Sequence, residues 1–494
     1  MMTTFKLTAG SRVGLGGAFA LACLAGSAIP LYMGMVGNAW VALAALPVAL
    51  ALLGMIALDR KSMLLFILLT RAACDLLLES ARPDLGGEAL GLGAVINALV
   101  IGLAVMLVIG DPKAVPRPAL MLWLGFFLTT LYGLALSPVR GEAVRVVLGW
   151  LSNFAVFVSA FHVVRNRDDF RSCVRLIVWS SVAPALYGLY ILVGSAGLVS
   201  NTLRLRSTFG HPNIFAFYLT LVIPLGFYLL KSRTASTGRW RQAGLALYLG
   251  LLLMLVVFTQ TRSAWLALVI LCAGYGLLFE RRYLLYLGLL AGVAAGLPAV
   301  HERLLDLAGG GDAARLGQMN SFAWRVALWS AALDWMAPQR YLFGYGIGAF
   351  RDNAATFFPL GGAIRWDAHN VYVQWFFDAG LVGLAAYLWL HGRLIGLLRP
   401  LLRTDRLAAF VLISAVLGYL IVALSDNMMF YLAFNWYFYF AVGIGIACAR
   451  LAYTGQVQPD HGVSGAAPGP VRPVRTRAAA TARVWKSTRR LHRP

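Results

Sequence analysis

Apolar windows of roughly 17–25 residues, the length a helix needs to cross a bilayer, recur along nearly the whole sequence. They fall at roughly 13–33, 38–58, 62–78, 90–109, 119–136, 144–162, 174–197, 213–230, 243–260, 263–279, 283–300, 371–391, 406–425 and 427–452. The expected fold is therefore all-α: a polytopic membrane protein with about 12–14 transmembrane helices and one large external loop. With 60% hydrophobic and 13% charged residues, the composition excludes an ordinary soluble protein of this size. Expected divisions are an N-terminal transmembrane bundle (1–300), a loop with interfacial helices (301–370), C-terminal transmembrane helices (371–453) and a disordered basic tail (454–494).

Lysine and arginine in the short loops set the orientation. Asp59-Arg60-Lys61, Lys113 with Arg117, Arg165 to Arg171, Lys231 to Arg241, Arg281-Arg282 and Arg393 to Arg406 alternate correctly with the spans to lie together on the cytoplasmic side. Both termini then face inside and the 301–370 loop faces outside. The net charge of +22 is explained by these loops and the tail, where topology and anionic membrane lipids account for it without nucleic acid. The five cysteines (Cys23, Cys74, Cys173, Cys272, Cys448) are scattered singly and read as packing residues. The N-terminal apolar stretch, preceded by Lys6 and Arg12, reads as a retained first helix, not a cleaved signal.

Within the large loop, Phe322, Val326, Trp329 and Leu333 repeat at helical spacing, with Ser321 as a cap and Pro338 past the end. Trp324 and Trp335 add to a helix expected at the membrane interface. Gly344-Tyr345-Gly346-Ile347-Gly348 is expected to make a flexible turn, since no strand precedes it as a dinucleotide site requires. In the third span, Arg71 and Asp75 are four apart, share a helix face and can pair as a packing ion pair.

Arginines on the external side break the topological rule and need a reason. Arg204, Arg206 and Arg262 lie at external span ends, where they could converge on His369, one residue outside a span. Guanidinium forks match phosphate oxygens and stay charged at any working pH. Histidine can take a proton from a sugar hydroxyl near neutrality. An arginine clamp plus one base would suffice to move a glycan from a lipid diphosphate to a hydroxyl, with no metal and no cofactor. External acids (Glu79, Asp84, Glu88, Asp352, Asp367) are dispersed, and Asp168-Asp169 falls on the cytoplasmic side, so no metal site is expected. Taken singly, each residue has a plainer reading. His369 could be an interface histidine, Arg262 a snorkelling helix end, Arg204 and Arg206 lipid-headgroup ligands, and His211 a cap for the next span.

Four segments in order carry a family resemblance over about residues 200–390. They are Arg204-Leu-Arg-Ser-Thr-Phe-Gly-His-Pro-Asn213; Thr261-Arg-Ser-Ala-Trp265; Arg325-Val-Ala-Leu-Trp329 with Gly344 to Phe350; and Ala368-His-Asn-Val-Tyr372 with Gly380 and Gly383. Together they resemble the bacterial O-antigen ligase and polysaccharide polymerase superfamily. The resemblance implies a metal-independent, inverting glycosyltransferase of the bacterial inner membrane, working at the periplasmic face on undecaprenyl-diphosphate-linked glycan. The acceptor would be lipid A-core or a lipid-linked repeat. It further implies His369 as catalytic base, Arg204 and Arg262 as diphosphate ligands, and Asn213, Arg325 and Asn370 as supporting residues. Ser207 stands where the family usually has glycine, and Arg206 adds a second candidate, so which arginine meets the donor is left open. A protein O-oligosaccharyltransferase is the nearest alternative, disfavoured by the lack of a large appended domain. A polysaccharide or lipid transporter is the rival from another class, disfavoured by the absence of a two-fold internal repeat.

Overall fold

The computed structural model describes residues 59–80, 84–85, 88–89, 92–194, 204–232, 238–296, 321–362 and 364–453. The expected spans at 13–33 and 38–58, residues 301–320 of the large loop and the tail 454–494 lie outside the described residues. In chain order the helices are α1 (Arg60–Arg71), α2 (Asp75–Ser80), α3 (Leu92–Gly110), α4 (Arg117–Leu136), α5 (Arg140–Val163), α6 (Arg167–Ser180) and α7 (Val182–Gly194). Then come α8 (Pro212–Lys231), α9 (Arg239–Phe258), α10 (Arg262–Leu278), α11 (Arg282–Ala295), α12 (Ser321–Trp335) and α13 (Ala349–Phe357). The last are α14 (Val371–Leu398), α15 (Leu401–Thr404), α16 (Arg406–Val422) and α17 (Leu432–Tyr453). A two-residue antiparallel pairing, Asp84–Leu85 with Glu88–Ala89, follows α2. Eight segments among the described residues are long and apolar enough to cross a membrane, and α10 and α16 are shorter apolar helices. This is an all-α polytopic membrane protein.

The core is built around α17, whose Trp436, Tyr437, Phe438, Tyr439 and Phe440 are all fully buried. A helix apolar on every side is the expected occupant of a bundle centre. Outward-facing leucines and valines, such as Leu124 and Leu128 on α4 and Leu285 and Leu289 on α11, remain exposed, as lipid-facing helices require.

The third expected span is not one helix. It breaks at residues 72–74 between α1 and α2, although Arg71 and Asp75 still pair across the break at 2.6 Å, both buried. The backbone groups released there are satisfied from elsewhere, which is what permits a break at such depth. Thr208 Oγ1 donates to the Ala72 carbonyl at 2.7 Å, the Thr208 carbonyl accepts from Leu76 N at 2.9 Å, and Ala72 N donates to Tyr437 OH at 3.0 Å. The Arg71 guanidinium also lies over the Trp436 ring, 5.5 Å from its centroid. The expected 174–197 span likewise starts earlier, at Arg167, and divides at Ser181 into α6 and α7.

The glycine run is a second correction. Instead of a flexible turn, residues 344–348 are wedged between the end of α4 and a kink in α14. Tyr345 N and Gly346 N donate to the carbonyls of Phe377 and Asp378 at 3.0 and 2.8 Å, and Ile347 N donates to that of Gly133 at 2.9 Å. Ser137 Oγ closes the other side on the Ile347 carbonyl at 2.7 Å. Gly346 has φ 104°, and a Cβ there would sit 2.4 Å from the Leu136 carbonyl carbon. Gly380, at the α14 kink with φ 67°, would press a Cβ to 2.3 Å from the Leu342 oxygen. Backbone meets backbone at both points, so neither side chain could be absorbed by a rotamer change. Gly346→Ala is expected to remove most folded protein, since steric overlap and φ strain together exceed the roughly 1–3 kcal/mol of ordinary overpacking. The yield of monodisperse protein after detergent extraction measures this, and wild-type yield would refute it.

Candidate active site

At one end of the bundle the loops before α8, before α14 and before α17 meet. His369 heads α14, and its backbone is held on both sides. Ala368 N donates to Gln374 Oε1 at 2.9 Å, and the Ala368 carbonyl accepts from Trp329 Nε1 at 2.6 Å. Asn370 N donates to Asn427 Oδ1 at 3.1 Å. Asn370 then caps α14, its Oδ1 accepting from Tyr372 N at 2.9 Å and Val373 N at 3.2 Å. Between these anchors His369 takes φ 49°, a left-handed conformation costing about 1–3 kcal/mol in a non-glycine residue. The contacts on either side over-determine that conformation and aim the imidazole.

The imidazole Nδ1 faces Asp426 Oδ1 at 3.4 Å, with His369 33% exposed and Asp426 1% exposed. The carboxylate is surrounded by donors: Tyr431 OH at 2.6 Å and Asn427 N at 2.9 Å on Oδ1, and the Asn213 amide on Oδ2. Burial pushes the Asp426 carboxyl upward, but hydrogen bonds from His369, Tyr431 and Asn213 outweigh it and hold it below the usual carboxylate range. Asp426 is thus ionised and orients His369 Nδ1–H toward itself, leaving Nε2 as the ring's proton acceptor.

Asn213 links this carboxylate to Arg204. Its Oδ1 accepts from Arg204 Nη2 at 2.8 Å and from Thr261 Oγ1 at 3.1 Å. Arg325, on α12, reaches the Ser425 carbonyl at 2.8 Å, one residue before Asp426. Burial holds the Arg325 guanidinium below its ordinary value, with Arg262 pushing the same way and Asp426 opposing. Two arginines close enough to repel, partly withdrawn from water, form a place where an anion is stabilised. Arg262 is the first residue of α10 and follows directly on Thr261.

His211 also lies in this group but has another task. As the N-cap of α8, its Nδ1 accepts from Asn213 N at 3.2 Å, which leaves any ring proton on Nε2. Partial burial holds its imidazole below the ordinary value, assisted by Arg204, His369 and Arg325 and opposed by Asp426. His211 is therefore a neutral cap with no acceptor nitrogen to spare, and it fixes Asn213 in place.

Of the two arginines in the 204–213 segment, only Arg204 joins the cluster. Arg206 is exposed, and its electrostatic partner is Tyr187 on α7. Ser207, at the position where the superfamily carries glycine, has φ 52°. Its hydroxyl donates to the Pro184 carbonyl at 2.5 Å, a local bond that offsets part of the strain a glycine would avoid.

The large-loop helix α12 buries Leu328, Ala332 and Met336 against α13 and α14, and leaves Phe322, Val326 and Leu333 exposed. Of the stripe read from the sequence, Phe322, Val326 and Leu333 thus face outward, while Trp329 turns inward to the Ala368 carbonyl. Asp426, Tyr431, Gln374 and Asn427 were not singled out by the sequence reading. The available signal was a lone Ser425-Asp426-Asn427 group between the last two spans, on the same side as the large loop.

The described residues thus form a polytopic helical bundle with a basic, histidine-bearing cluster at one end. Residues 247–388 match the O-antigen ligase family, a match that supports the resemblance to the O-antigen ligase and polymerase superfamily. The match covers the later part of α9, all of α10, and Arg262, Arg325 and His369; Arg204, Asn213 and Asp426 fall outside it and join the site through the fold. No curated protein matches the chain. The family supports membrane glycan transfer of the ligase or polymerase type, with lipid-linked glycans as the general substrate class.

Proposed function

We propose that this chain transfers a glycan from undecaprenyl diphosphate to an acceptor sugar hydroxyl at the periplasmic face of the bacterial inner membrane. In this reading residues 301–370 form the external loop over a bundle contributed by 1–300 and 371–453, with 454–494 as a basic cytoplasmic tail. The observation that carries the proposal is the pairing of His369 with a buried, ionised Asp426 inside a group of arginines. The acceptor oxygen attacks the anomeric carbon, and its proton passes to His369 Nε2. The bond from the anomeric carbon to the diphosphate breaks on the opposite side, inverting the centre, and the diphosphate leaves with the electron pair. Arg204, Arg262 and Arg325 neutralise the charge that builds on the leaving group. Their fixed charges do the work a metal ion would otherwise do, so the scheme is metal-independent.

Whether the acceptor is lipid A-core or another lipid-linked repeat is decided by a complemented deletion strain, its lipid-linked and surface glycans separated by size. Long chains held on undecaprenyl diphosphate and missing from lipid A-core in the uncomplemented strain identify a ligase. Single repeats without long chains identify a polymerase. A normal glycan pattern in that strain sinks the proposal.

The two arginines of the 204–213 segment give a sharper test. Arg204→Gln is expected to weaken apparent donor affinity on the order of tenfold or more, losing one charge-assisted contact of about 1.5–3 kcal/mol. Arg206→Gln, at an exposed position facing Tyr187, is expected to stay within about twofold, as surface charges contribute under about 1 kcal/mol. Equal losses in the two variants, assayed with purified lipid-linked donor, would refute the assignment of Arg204 over Arg206.

A further inference from the structure

At the end of the bundle opposite His369 lies a second basic recess that the transfer reaction does not use. Helices α5 and α17 both start at the His369 end: Glu142 on α5 pairs with Arg351 of the large loop at 2.9 Å, and Tyr431, just before α17, binds Asp426. From Glu142 to His162, α5 then rises about 30 Å. There, the ends of α5 and α17 and the turn between α3 and α4 enclose a recess of ≈370 Å³. Lys113, His162, Arg165 and Arg450 line it, with one acid, Asp111, at its edge.

Three features mark this recess as built. His162 is 4% exposed, and its Nε2, buried at the wall, has no hydrogen-bond partner among the described residues. A buried ring nitrogen without a partner is costly unless something fills that role. Arg450 is fixed at the mouth by donating to the carbonyls of Ala114 and Lys113, so its charge is positioned and not merely nearby. Arg165 and Lys113 are exposed, and Lys61 lies within electrostatic reach of Arg165 and of the acids Asp59, Asp111 and Asp169. Among the residues that line the recess, three cations face one carboxylate, a surplus suited to a phosphate. The recess also sits where the helices end, at the depth of lipid headgroups.

We propose that the recess formed by Lys113, His162, Arg165 and Arg450 binds a phosphate group. The phosphate is either the headgroup of an anionic phospholipid or that of a soluble phosphate compound. His162 donates one hydrogen bond from Nε2 and the three cations supply the charge. The inference stands on this recess alone and does not depend on the glycan-transfer reading.

The test uses the full chain in phosphatidylcholine nanodiscs with and without cardiolipin, followed by native mass spectrometry of retained lipid. Melting curves with added inorganic phosphate or ATP form the soluble arm. In the double variant Lys113→Gln with Arg165→Gln, retained cardiolipin is expected to fall on the order of twentyfold, at about fivefold per basic residue at a lipid surface. The same double variant is expected to keep the wild-type melting temperature without ligand, because both side chains are exposed. Arg399→Gln, an exposed arginine after α14 at the same end of the bundle, controls for bulk charge and is expected to retain cardiolipin. Loss of a phosphate- or ATP-induced melting shift, with cardiolipin unaffected, would equally support the site and identify its ligand as soluble. Unchanged retention and unchanged shifts in a folded double variant would overturn it, as would equal loss in Arg399→Gln. If the double variant melts lower, His162→Phe, which fills the same space without a donor, is read the same way.

Discussion

His369→Ala is expected to lower glycan transfer by about 10²–10⁴, the range a general base supplies, while the protein accumulates and melts as wild type does. The reason is geometric. The imidazole is a third exposed, so truncation opens little of the core, and the backbone around it is held by Gln374, Trp329 and Asn427 independently of the ring. A companion variant separates chemistry from structure. His369→Gly removes the same ring but suits φ 49° better than either histidine or alanine. A base role makes both variants equally inactive; a structural role makes glycine the better tolerated. The assay is transfer from purified lipid-linked donor at matched protein, and wild-type rates in either variant would discard His369 as the base.

The second large effect is expected at Asp426. Its carboxylate accepts from four directions: His369, Tyr431, Asn427 N and Asn213. An amide in its place can accept at only one end. With oxygen kept toward His369 and Tyr431, its NH₂ would face the Asn213 NH₂. Asn213 cannot simply flip, because its oxygen serves Arg204 and Thr261. Asp426→Asn should therefore leave at least one buried donor unmatched, costing about 1–3 kcal/mol of stability. It should also lower turnover about a hundredfold or more by misorienting His369, with the larger change in kcat and the smaller in donor KM. Asp426 is a positioning residue, so that split is the discriminating readout; a loss confined to KM would contradict it.

The pH dependence follows from the same carboxylate. Its folded-state value lies below the unfolded one, so its stabilisation is complete above the ordinary Asp value of about 4 and is lost as pH falls through the lower folded value. Wild-type melting temperature should therefore decline on the acid side of about pH 4, and Asp426→Asn should flatten that decline.

Span length and hydropathy located most helices within a few residues, because the bilayer imposes its thickness directly on the sequence. The placement of α5, α8 and α17 is of this kind. Helix breaks were invisible. The partners that permit them, Thr208 and Tyr437 for the gap after Arg71 and residues 341–346 for the kink at Gly380, are distant in sequence.

What the sequence determined by itself was the membrane class, the all-α architecture, and a short set of arginines and one histidine at span ends. Each of those follows from local physics: apolar run length, and charge where charge is disfavoured. The His211 cap was legible beside Pro212 and Asn213; only the tertiary structure separated Arg204 from Arg206 and placed Asp426 behind His369. Those outcomes depend on which loop ends meet and on which lone pair is already occupied. Such facts arise from packing between segments far apart in the chain, 213 residues for Asn213 and Asp426, and no local pattern encodes them.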